Sequence, residues 1–362
     1  MPEQSIHIKY WGIRGSIPTP LTKDEVLLKA QNLLEKVIED GEFARLCGGD
    51  LKKEERCERI KKYLENQPLS SIGTYGGNTT CVEVRAKDSP LIIIDSGSGI
   101  RKLGDYLIKR LFSDQHFNPL SSNEDTKRDI HLFFSHYHWD HLHGFPFFKP
   151  AFIPGTRITF YGKDNCRKSI SEVLAGQQET PNFPVVWEDM PCEKHYFQLG
   201  RMESLVKEEA GRPSFLPAKI TYQELTHPDA VFAYRIEMNN KAFVMATDTE
   251  HKDTPDPRLT KLAKDADILY YDGQYTPEEY RDARMPKFDW GHSTFEWAIK
   301  NALTANVKKV VIGHHDPDRD DSGLENLFAQ AIEFKDSQLK LPENDGKKLD
   351  VILAYEGLEQ IL

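Results

Sequence analysis

Short apolar runs that each end at a polar residue are the main pattern along the chain. They are rich in β-branched and aromatic residues, which predicts β-strands. Several are followed by segments with helical spacing, such as Ile100–Phe112 after the glycine-rich turn 95–99. Strands mixed with helices are typical of α/β proteins with buried sheets. The predicted strands are Cys81–Arg85, Leu91–Asp95, Ile130–Ser135, Arg157–Tyr161, Phe232–Glu237, Ala242–Asp248, Ile268–Asp272 and Lys309–His314.

Residues 22–67 predict a helical pair inserted between two strand-and-turn segments of one domain, 1–362. The first helix begins at the capping box Thr22-x-x-Glu25 and ends before Gly41. A second, highly charged helix is expected over Leu51–Asn66. The first helix carries an apolar stripe that must be buried, against its own domain or against another molecule. The stripe consists of Val26, Leu27, Ala30, Leu33, Leu34, Val37 and Ile38.

Composition and charge narrow the classes of protein that remain. The chain has 362 residues, of which 39% are hydrophobic and 29% charged, so disorder, collagen and coiled coil are disfavoured. A net charge of −10 disfavours a basic coat for long nucleic acids, although a local basic groove stays open. No apolar run approaches the roughly 18 residues that cross a bilayer. The N-terminus lacks the apolar stretch of a signal peptide, and the five cysteines form no C-x-x-C pair, so we expect a cytoplasmic protein without disulfides.

The segment with the most chemistry is Ser135–Gly144, directly after a predicted strand. It holds four histidines and one aspartate within eight residues. His136 and His138 are two residues apart, so at a strand end they project to one side. Asp140 and His141 follow and face a second point. Because imidazole and carboxylate together suit zinc and related metals, the pattern predicts a metal site rather than a polar surface loop with incidental histidines.

The motif H-x-H-x-D-H-x-x-G in this segment resembles the signature of the metallo-β-lactamase fold superfamily. That resemblance implies an αββα sandwich with two divalent metal ions, zinc or alternatively manganese, along one edge. It places His136, His138 and His227 on one metal ion. It places Asp140, His141 and His314 on the other, with Asp248 bridging the two.

Three residues outside the motif, His314, His315 and Asp95, each have two possible roles. His315 competes with His314, which we prefer because it directly ends an apolar run. Asp95 matches an early aspartate of the superfamily and is expected to orient a ligand; its alternative is a strand-to-helix turn residue.

Trp290-Gly-His-Ser-Thr resembles the His-Ser-Thr motif of the ribonuclease Z branch, whose members cleave phosphodiesters. The resemblance pairs His292 with Asp272 as catalytic residues, together with Asp140. His292 stands before Ser293-x-x-Glu296, which predicts a capping box that opens a helix. At that end of a helix the histidine could donate a proton or hold a phosphate; alternatively it only bonds to the backbone.

Further segments are similar to a bacterial group within this branch that includes cyclic-nucleotide phosphodiesterases, among them the phage anti-Pycsar type. They begin at Tyr10, Tyr75, Asp272 and His314. The resemblance implies a homodimer and a small nucleotide substrate, and it does not extend to residues 22–67. One surface of the first inserted helix could then form the dimer contact, or cover the neighbouring active site. Ribonuclease Z has a Gly- and Pro-rich arm in the region that corresponds to Lys163–Glu193; here we expect a pocket-covering loop or a plain surface loop.

Three hypotheses for function follow. The first is a metal-dependent phosphodiesterase that hydrolyses 3′,5′-cyclic nucleotides to nucleoside monophosphates by a two-metal hydroxide. The second is a ribonuclease Z-like RNA 3′-processing endonuclease. The third is a metal-binding or partner-binding protein with a spent active site, which is disfavoured because all seven candidate ligands are present.

Overall fold

Two mixed β-sheets packed face to face form the centre of the molecule. A computed structural model describes residues 5–48, 52–114, 116–118, 127–163, 168–200, 204–205 and 218–362. The strands are β1 Ile6–Gly12, β2 Cys81–Ala86, β3 Leu91–Ile94, β4 Asp129–Phe133, β5 Arg157–Gly162, β6 Glu193–Gln198, β7 Ser204–Leu205, β8 Lys219–Leu225, β9 Val231–Met238, β10 Lys241–Ala246, β11 Ile268–Asp272, β12 Lys309–Gly313, β13 Asp350–Leu353 and β14 Glu359–Ile361. All eight predicted strands are confirmed, within two residues at either end.

Each sheet has seven strands among the described residues. One has the order β14-β1-β2-β3-β4-β5-β6 and the other β13-β12-β11-β10-β9-β8-β7. Strands β3 to β6 run parallel to one another, as do β10 to β13. The carboxyl ends of parallel strands meet at one edge of a sheet, which is where α/β proteins build their sites.

Helices cover the outer faces of the sheets, which gives the predicted αββα sandwich. They are α1 Lys23–Glu39, α2 Phe43–Cys47, α3 Lys53–Glu65, α4 Leu69–Ile72, α5 Gly99–Asp114, α6 Trp139–Leu142, α7 Ile170–Gly176, α8 Pro257–Leu262, α9 Pro277–Tyr280, α10 Phe295–Thr304 and α11 Asp321–Gln338. A central core lies between the sheets, where Ile8 and Val84 of one pack with Tyr234 and Phe243 of the other. Two further cores lie beneath the helices, one under α5 and one under α10 and α11.

Residues 22–67 hold the predicted helical pair, with α2 added between its members. The Thr22–Glu25 capping box forms, and α3 occupies most of the predicted second helix, whose first residue, Leu51, lies outside the described residues. The single-domain assignment of 1–362 stays a prediction.

The apolar stripe of α1 is not buried against its own domain, contrary to the first of the two interpretations. Helix α1 is described throughout and has no buried side chain. Four side chains of the stripe are between 51% and 67% exposed; they are Val26, Leu27, Leu34 and Ile38. The helix is held instead by polar contacts, since Lys29 Nζ lies 2.8 Å from Asp321 Oδ2. Most of the stripe therefore stays open to another molecule.

Candidate metal centre

The candidate ligands come from strand ends at one edge of the sandwich. Asp248 follows β10, Asp272 ends β11, and His314 follows β12. Asp248 and His314 both have a left-handed backbone, with φ of +49° and +55°. Such strained residues concentrate at functional sites, because the surrounding structure must hold them in place. Here the strain turns both side chains off their strands and toward the same point.

His136, His138 and His227 form one group of possible metal ligands, as the resemblance implied. One nitrogen from each ring lies within 4.8 Å of the other two. His227 Nε2 and His138 Nδ1 are 3.1 Å apart. Two imidazole nitrogens at this separation can share a metal ion as ligands.

Asp140, His141, Asp248 and His314 form a second group, and all four are buried. His141 Nε2 lies 3.2 Å from Asp140 Oδ2 and 3.3 Å from Asp248 Oδ2. His314 Nε2 lies 3.3 Å and 3.1 Å from the same two carboxylates. Asp248 Oδ1, the oxygen that lies near His314, is also 3.8 Å from His136 Nε2 in the first group. Asp248 therefore stands between the groups, in the place of the expected bridge.

The donor set fits two divalent cations. Nε2 of His136 is buried and has no hydrogen-bond partner among the described residues. A buried nitrogen without a partner is costly, and a cation would supply the missing interaction. Two carboxylates within one buried cluster need positive charge for the same reason. The structure thus brings all seven predicted ligands together, and their assignment to individual ions stays a prediction.

Electrostatics within the cluster divides its histidines into two kinds. Burial lowers the pKa of His136 and of His227, which keeps both rings neutral and able to bind metal. Burial also acts on His314, but Asp248 and Asp140 outweigh it and raise the pKa of His314 to about 9. Asp140 and Asp248 also outweigh burial at His141 and raise the pKa of that ring. Without metal, the two carboxylates therefore favour the protonated form of the His141 and His314 rings.

Asp95 orients His141 from behind, the role that the resemblance implied for it. Its Oδ2 lies 2.9 Å from His141 Nδ1, which leaves Nε2 to face the cluster. The carboxylate is fixed in turn by Ser135, which donates its backbone N–H at 2.7 Å and its hydroxyl at 2.8 Å. Such partners set the tautomer of a ligand histidine and its direction.

His292 and Asp272 lie beside the second group. His292 Nδ1 is 2.9 Å from Asp272 Oδ2. The His292 ring stacks on the His314 ring, and the two ring centroids are 5.0 Å apart. Asp272, His292 and His314 form a third set of possible ligands, so distance alone does not separate a metal role from a catalytic one. His314 Nε2 already faces Asp140 and Asp248, which favours His292 as the residue left over for substrate.

The predicted capping box at Ser293 is wrong. Helix α10 begins after Thr294, and no side chain caps it. Ser293 Oγ instead lies 2.9 Å from His251 Nδ1 and 3.2 Å from Tyr271 Oη, so its hydroxyl is used inside the protein. His292 is accordingly placed by Asp272 and not by the first turn of a helix.

The structure places His315 outside the cluster. Its Nε2 lies 2.9 Å from the Ala354 carbonyl oxygen, and the ring is buried. Burial, with Arg14 nearby, lowers the pKa of His315 to about 3. His315 is therefore a neutral residue of the interior, in agreement with the choice of His314.

Glu250 holds the loop that reaches His292, and sequence reasoning missed it. Its carboxylate accepts backbone N–H groups from Asp289 at 2.8 Å and Gly291 at 2.9 Å, and the Tyr280 hydroxyl at 2.5 Å. The Gly291 carbonyl oxygen lies 3.0 Å from His227 Nδ1, which leaves Nε2 of that ligand to face the cluster. The available signal was its position two residues after Asp248.

The loop after β1 also contacts the cluster. Ser16 donates its backbone N–H to Asp140 Oδ2 at 2.9 Å. A side chain at Gly15 would collide with the His314 ring, since its Cβ would lie 2.6 Å from that ring. Gly15, the second glycine of the Gly-Ile-Arg-Gly-Ser segment, is therefore needed for this close approach.

Part of the region Lys163–Glu193 packs firmly on the sheet. Trp187 is buried, with its ring 5.5 Å from Phe145 and 5.6 Å from Phe160. Residues 164–167 lie outside the described residues. A covering role over the pocket stays a prediction.

Comparison with known proteins identifies the family. Residues 92–315 match the model of the β-lactamase superfamily domain, which is more than half of the chain. This chain belongs to the metallo-β-lactamase superfamily. It is a hydrolase of the metallo-β-lactamase type, and proteins of this fold bind divalent metals such as zinc.

Individual relatives of this metallo-β-lactamase protein are distant. Ribonuclease Z of Leuconostoc mesenteroides is 26% identical over 217 residues, which cover 51% of this chain and 68% of the relative. The metallo-β-lactamase fold protein YhfI from Bacillus subtilis superposes with a TM-score of 0.55 at 14% identity, over 99% of this chain and 100% of its own. A diphosphatase from the PhnP family gives a TM-score of 0.52 at 16% identity, over 98% and 97% of the two chains. The two structures support the fold alone. No helix in the described part of the chain is long and apolar enough to span a membrane.

Proposed function

We propose that this hydrolase is a metal-dependent phosphodiesterase that opens 3′,5′-cyclic nucleotides to nucleoside monophosphates. The observation that carries the proposal is the His292–Asp272 pair, 2.9 Å apart and directly beside the seven candidate ligands. A buried metal cluster alone would serve amides and thioesters equally well. A histidine held by a carboxylate next to it adds a proton donor for an alkoxide leaving group.

Divalent ions in such a cluster, zinc or manganese, supply an activated water and offset negative charge on a phosphoryl group. In the proposal, His136, His138 and His227 hold one ion, and Asp140, His141 and His314 hold the other. Asp248, which lies between the two groups, would be the residue that both ions share. The protein's own part is to hold these donors rigidly, with Asp95 and the Gly291 carbonyl fixing two of the rings.

His292 completes the reaction in this proposal by protonating the departing sugar oxygen. Asp272 Oδ2 fixes Nδ1, so Nε2 is the nitrogen left for substrate. Asp272 is held in turn by the Gln274 N–H at 3.0 Å on its other oxygen. The His292 side chain keeps 13% of its surface exposed, whereas Asp272 has none, so substrate can reach only the histidine. Because a sugar alkoxide is a poor leaving group, a proton delivered here lowers the barrier.

A ribonuclease Z-like activity on RNA 3′ ends is the second candidate. The sequence match to a ribonuclease Z over half of the chain favours it. The net charge of −10 weighs against it, because long RNA is bound mainly through its phosphates. A small substrate is therefore the first choice, in a cytoplasmic enzyme.

The test is a substrate panel offered to the full chain loaded with zinc or manganese. It contains 3′,5′-cyclic purine and pyrimidine nucleotides, a precursor transfer RNA, a β-lactam and a thioester. We expect a nucleoside monophosphate from at least one cyclic nucleotide. Cleavage of the precursor RNA without turnover of any cyclic nucleotide would favour the second candidate. Turnover of the lactam or thioester alone would overturn both.

A further inference from the structure

Large aromatic side chains stay exposed on the loop that leads to His292. Trp290 is 48% exposed and Phe288 is 54% exposed. Both belong to the segment between α9 and α10, which also contains His292. Ligand pockets are lined mainly by apolar and aromatic side chains, so exposed aromatic surface beside a buried polar site is a candidate place for a ligand.

Hydrogen bonds hold the backbone of this loop in place, so the positions of its exposed side chains are defined before a ligand binds. Glu250 accepts hydrogen bonds from the backbone on either side of Trp290, at Asp289 and Gly291. Within the loop, the Lys287 N–H donates to the Tyr280 carbonyl oxygen at 3.0 Å, and the Trp290 N–H donates to the Lys287 carbonyl oxygen at 3.3 Å. A ligand that meets Trp290 therefore meets a preorganised surface.

A lysine completes this surface. Lys287 Nζ lies 4.2 Å from the centroid of the Trp290 ring and 5.6 Å from that of Tyr275. It makes no ion pair with any residue that the structure describes. The Tyr275 ring is in turn 6.2 Å from the His292 ring. The lysine thus lies one side chain, that of Tyr275, away from the residue assigned to the leaving oxygen, and the Trp290 indole lies beside the lysine.

The geometry points to a nucleobase subsite formed by Trp290 and Lys287. The inference rests on the proposed function, because it assigns the base-binding part of the same site. Aromatic side chains bind bases by stacking, and a lysine ammonium donates hydrogen bonds to base oxygens and ring nitrogens. When a nucleotide binds, the flexible lysine leaves one indole face to the base and donates to the edge of that base. The substrate class is then a diester of a nucleoside, not a diester of a plain sugar or glycerol.

The test compares a 3′,5′-cyclic nucleotide with the 3′,5′-cyclic phosphate of 1-O-methylribose, which has no base. For Trp290→Leu we expect the KM of the nucleotide to rise roughly 5- to 150-fold, the contribution of one stacked base. For Lys287→Met we expect a rise of roughly tenfold. Trp290→Phe, which keeps an aromatic face, restores most of the affinity. Both kinetic constants for the base-free diester stay unchanged in all three variants.

Matched controls lie elsewhere in the chain. Phe112→Leu removes an exposed aromatic ring from α5, where Phe112 is 82% exposed. Lys300→Met removes a lysine that lies 4.4 Å from the Trp297 ring centroid on α10. Neither variant should change the preference for the nucleotide over the base-free diester.

The outcomes separate the subsite from the reaction. If Trp290→Leu raises the KM for both diesters equally, or for neither, the nucleobase subsite is overturned. The proposed phosphodiesterase activity is unaffected by that result. If the wild-type protein cleaves neither diester, the proposed function fails. The nucleobase subsite is then tested by measuring the binding of a nucleotide. Titration of tryptophan fluorescence with a nucleoside monophosphate should then show binding that weakens at least fivefold in Lys287→Met, with ribose 5-phosphate as the base-free reference. Equal binding by the two proteins would overturn the subsite.

Discussion

At the residue scale, three candidate imidazole ligands have their second nitrogen held by a group that is not itself a candidate ligand. Asp95 fixes His141, the Gly291 carbonyl fixes His227, and Gln274 Oε1 lies 3.3 Å from His314 Nδ1. Ligand rings that are oriented in advance lose little freedom when metal binds. The site is thus built for metal before any metal arrives.

His292→Ala should retain both metal ions and the fold but lose most of its turnover. The loss of a general acid typically costs about 10²- to 10⁴-fold in rate. Because a nitrophenolate leaves without needing a proton, the loss should be much smaller on a nitrophenyl phosphodiester. Steady-state rates on both substrates, with metal content measured in parallel, check this. A variant that has lost one metal ion would make His292 a ligand and reopen the assignment of His314.

Glu250→Gln should weaken metal binding at the group formed by His136, His138 and His227. The amide cannot accept from both loop N–H groups, so Gly291 moves and no longer fixes His227. Loss of such a supporting partner typically costs about 10- to 100-fold in metal affinity. Competition with a chelator, read as metal retained per chain, measures it.

Glu279→Gln is the matched control for Glu250→Gln, since Glu279 caps the neighbouring helix α9 and touches no candidate ligand. Its metal retention should equal that of the wild type. Equal retention in Glu250→Gln as well would show that the loop does not support the metal centre.

At the element scale, the strands that carry ligands were the easiest part to predict. Buried parallel strands read as continuous apolar runs, and β10 and β12 end where those runs meet Asp248 and His314. The edge strands β6 and β14 were missed because half or more of their residues are exposed and polar, so no apolar run marks them. Two-residue β7 is too short to leave a pattern.

Contacts between distant segments could not be predicted from the sequence. Ser16 reaches Asp140 across 124 positions of the chain, through a backbone N–H that any residue except proline would provide. The Ser293 capping box matched a local rule, yet the buried partners His251 and Tyr271 took its hydroxyl. Local patterns describe what a residue can bond to nearby, whereas the fold decides which partner it meets.

Helix α1 should form the homodimer contact that the family resemblance implied. Its exposed apolar stripe has no cover within the described chain, and such a stripe on a stable helix needs a partner. The triple variant Leu27→Glu, Leu34→Glu and Ile38→Glu places charge on that stripe without touching a buried side chain. We expect the wild type to sediment as a dimer and the variant as a folded monomer. Phe112→Glu on α5 is the control, and a variant that stays dimeric would exclude α1 as the interface.

At the scale of the whole molecule, buried neutral histidines should make the fold sensitive to acid. Burial, with Arg157 nearby, lowers the pKa of His131 to about 4, from about 6.5 in an unfolded chain. The unfolded state therefore binds the proton first, and stability is complete above pH 6.5 and is lost as the pH falls toward 4. The titration of His131 alone should lower the free energy of unfolding by about 2 kcal/mol between about pH 7.5 and pH 5.

The variant His131→Gln tests this, because glutamine keeps a polar group near the Tyr161 hydroxyl but does not titrate. Urea unfolding at both pH values should show a smaller fall in the free energy of unfolding than in the wild type, by about 2 kcal/mol. An equal fall in the two proteins would contradict the buried neutral state of His131.

The most direct test of the central claim is ³¹P NMR of a 3′,5′-cyclic nucleotide incubated with the metal-loaded chain in ¹⁸O-enriched water. We expect the cyclic diester signal to be replaced by that of a nucleoside monophosphate carrying ¹⁸O on phosphorus, because the water attacks that atom. Asp248→Ala, which lacks the residue between the two ligand groups, should leave the cyclic signal unchanged and bind less metal. An unchanged cyclic signal with the fully loaded wild-type protein, across purine and pyrimidine nucleotides, would contradict the claim.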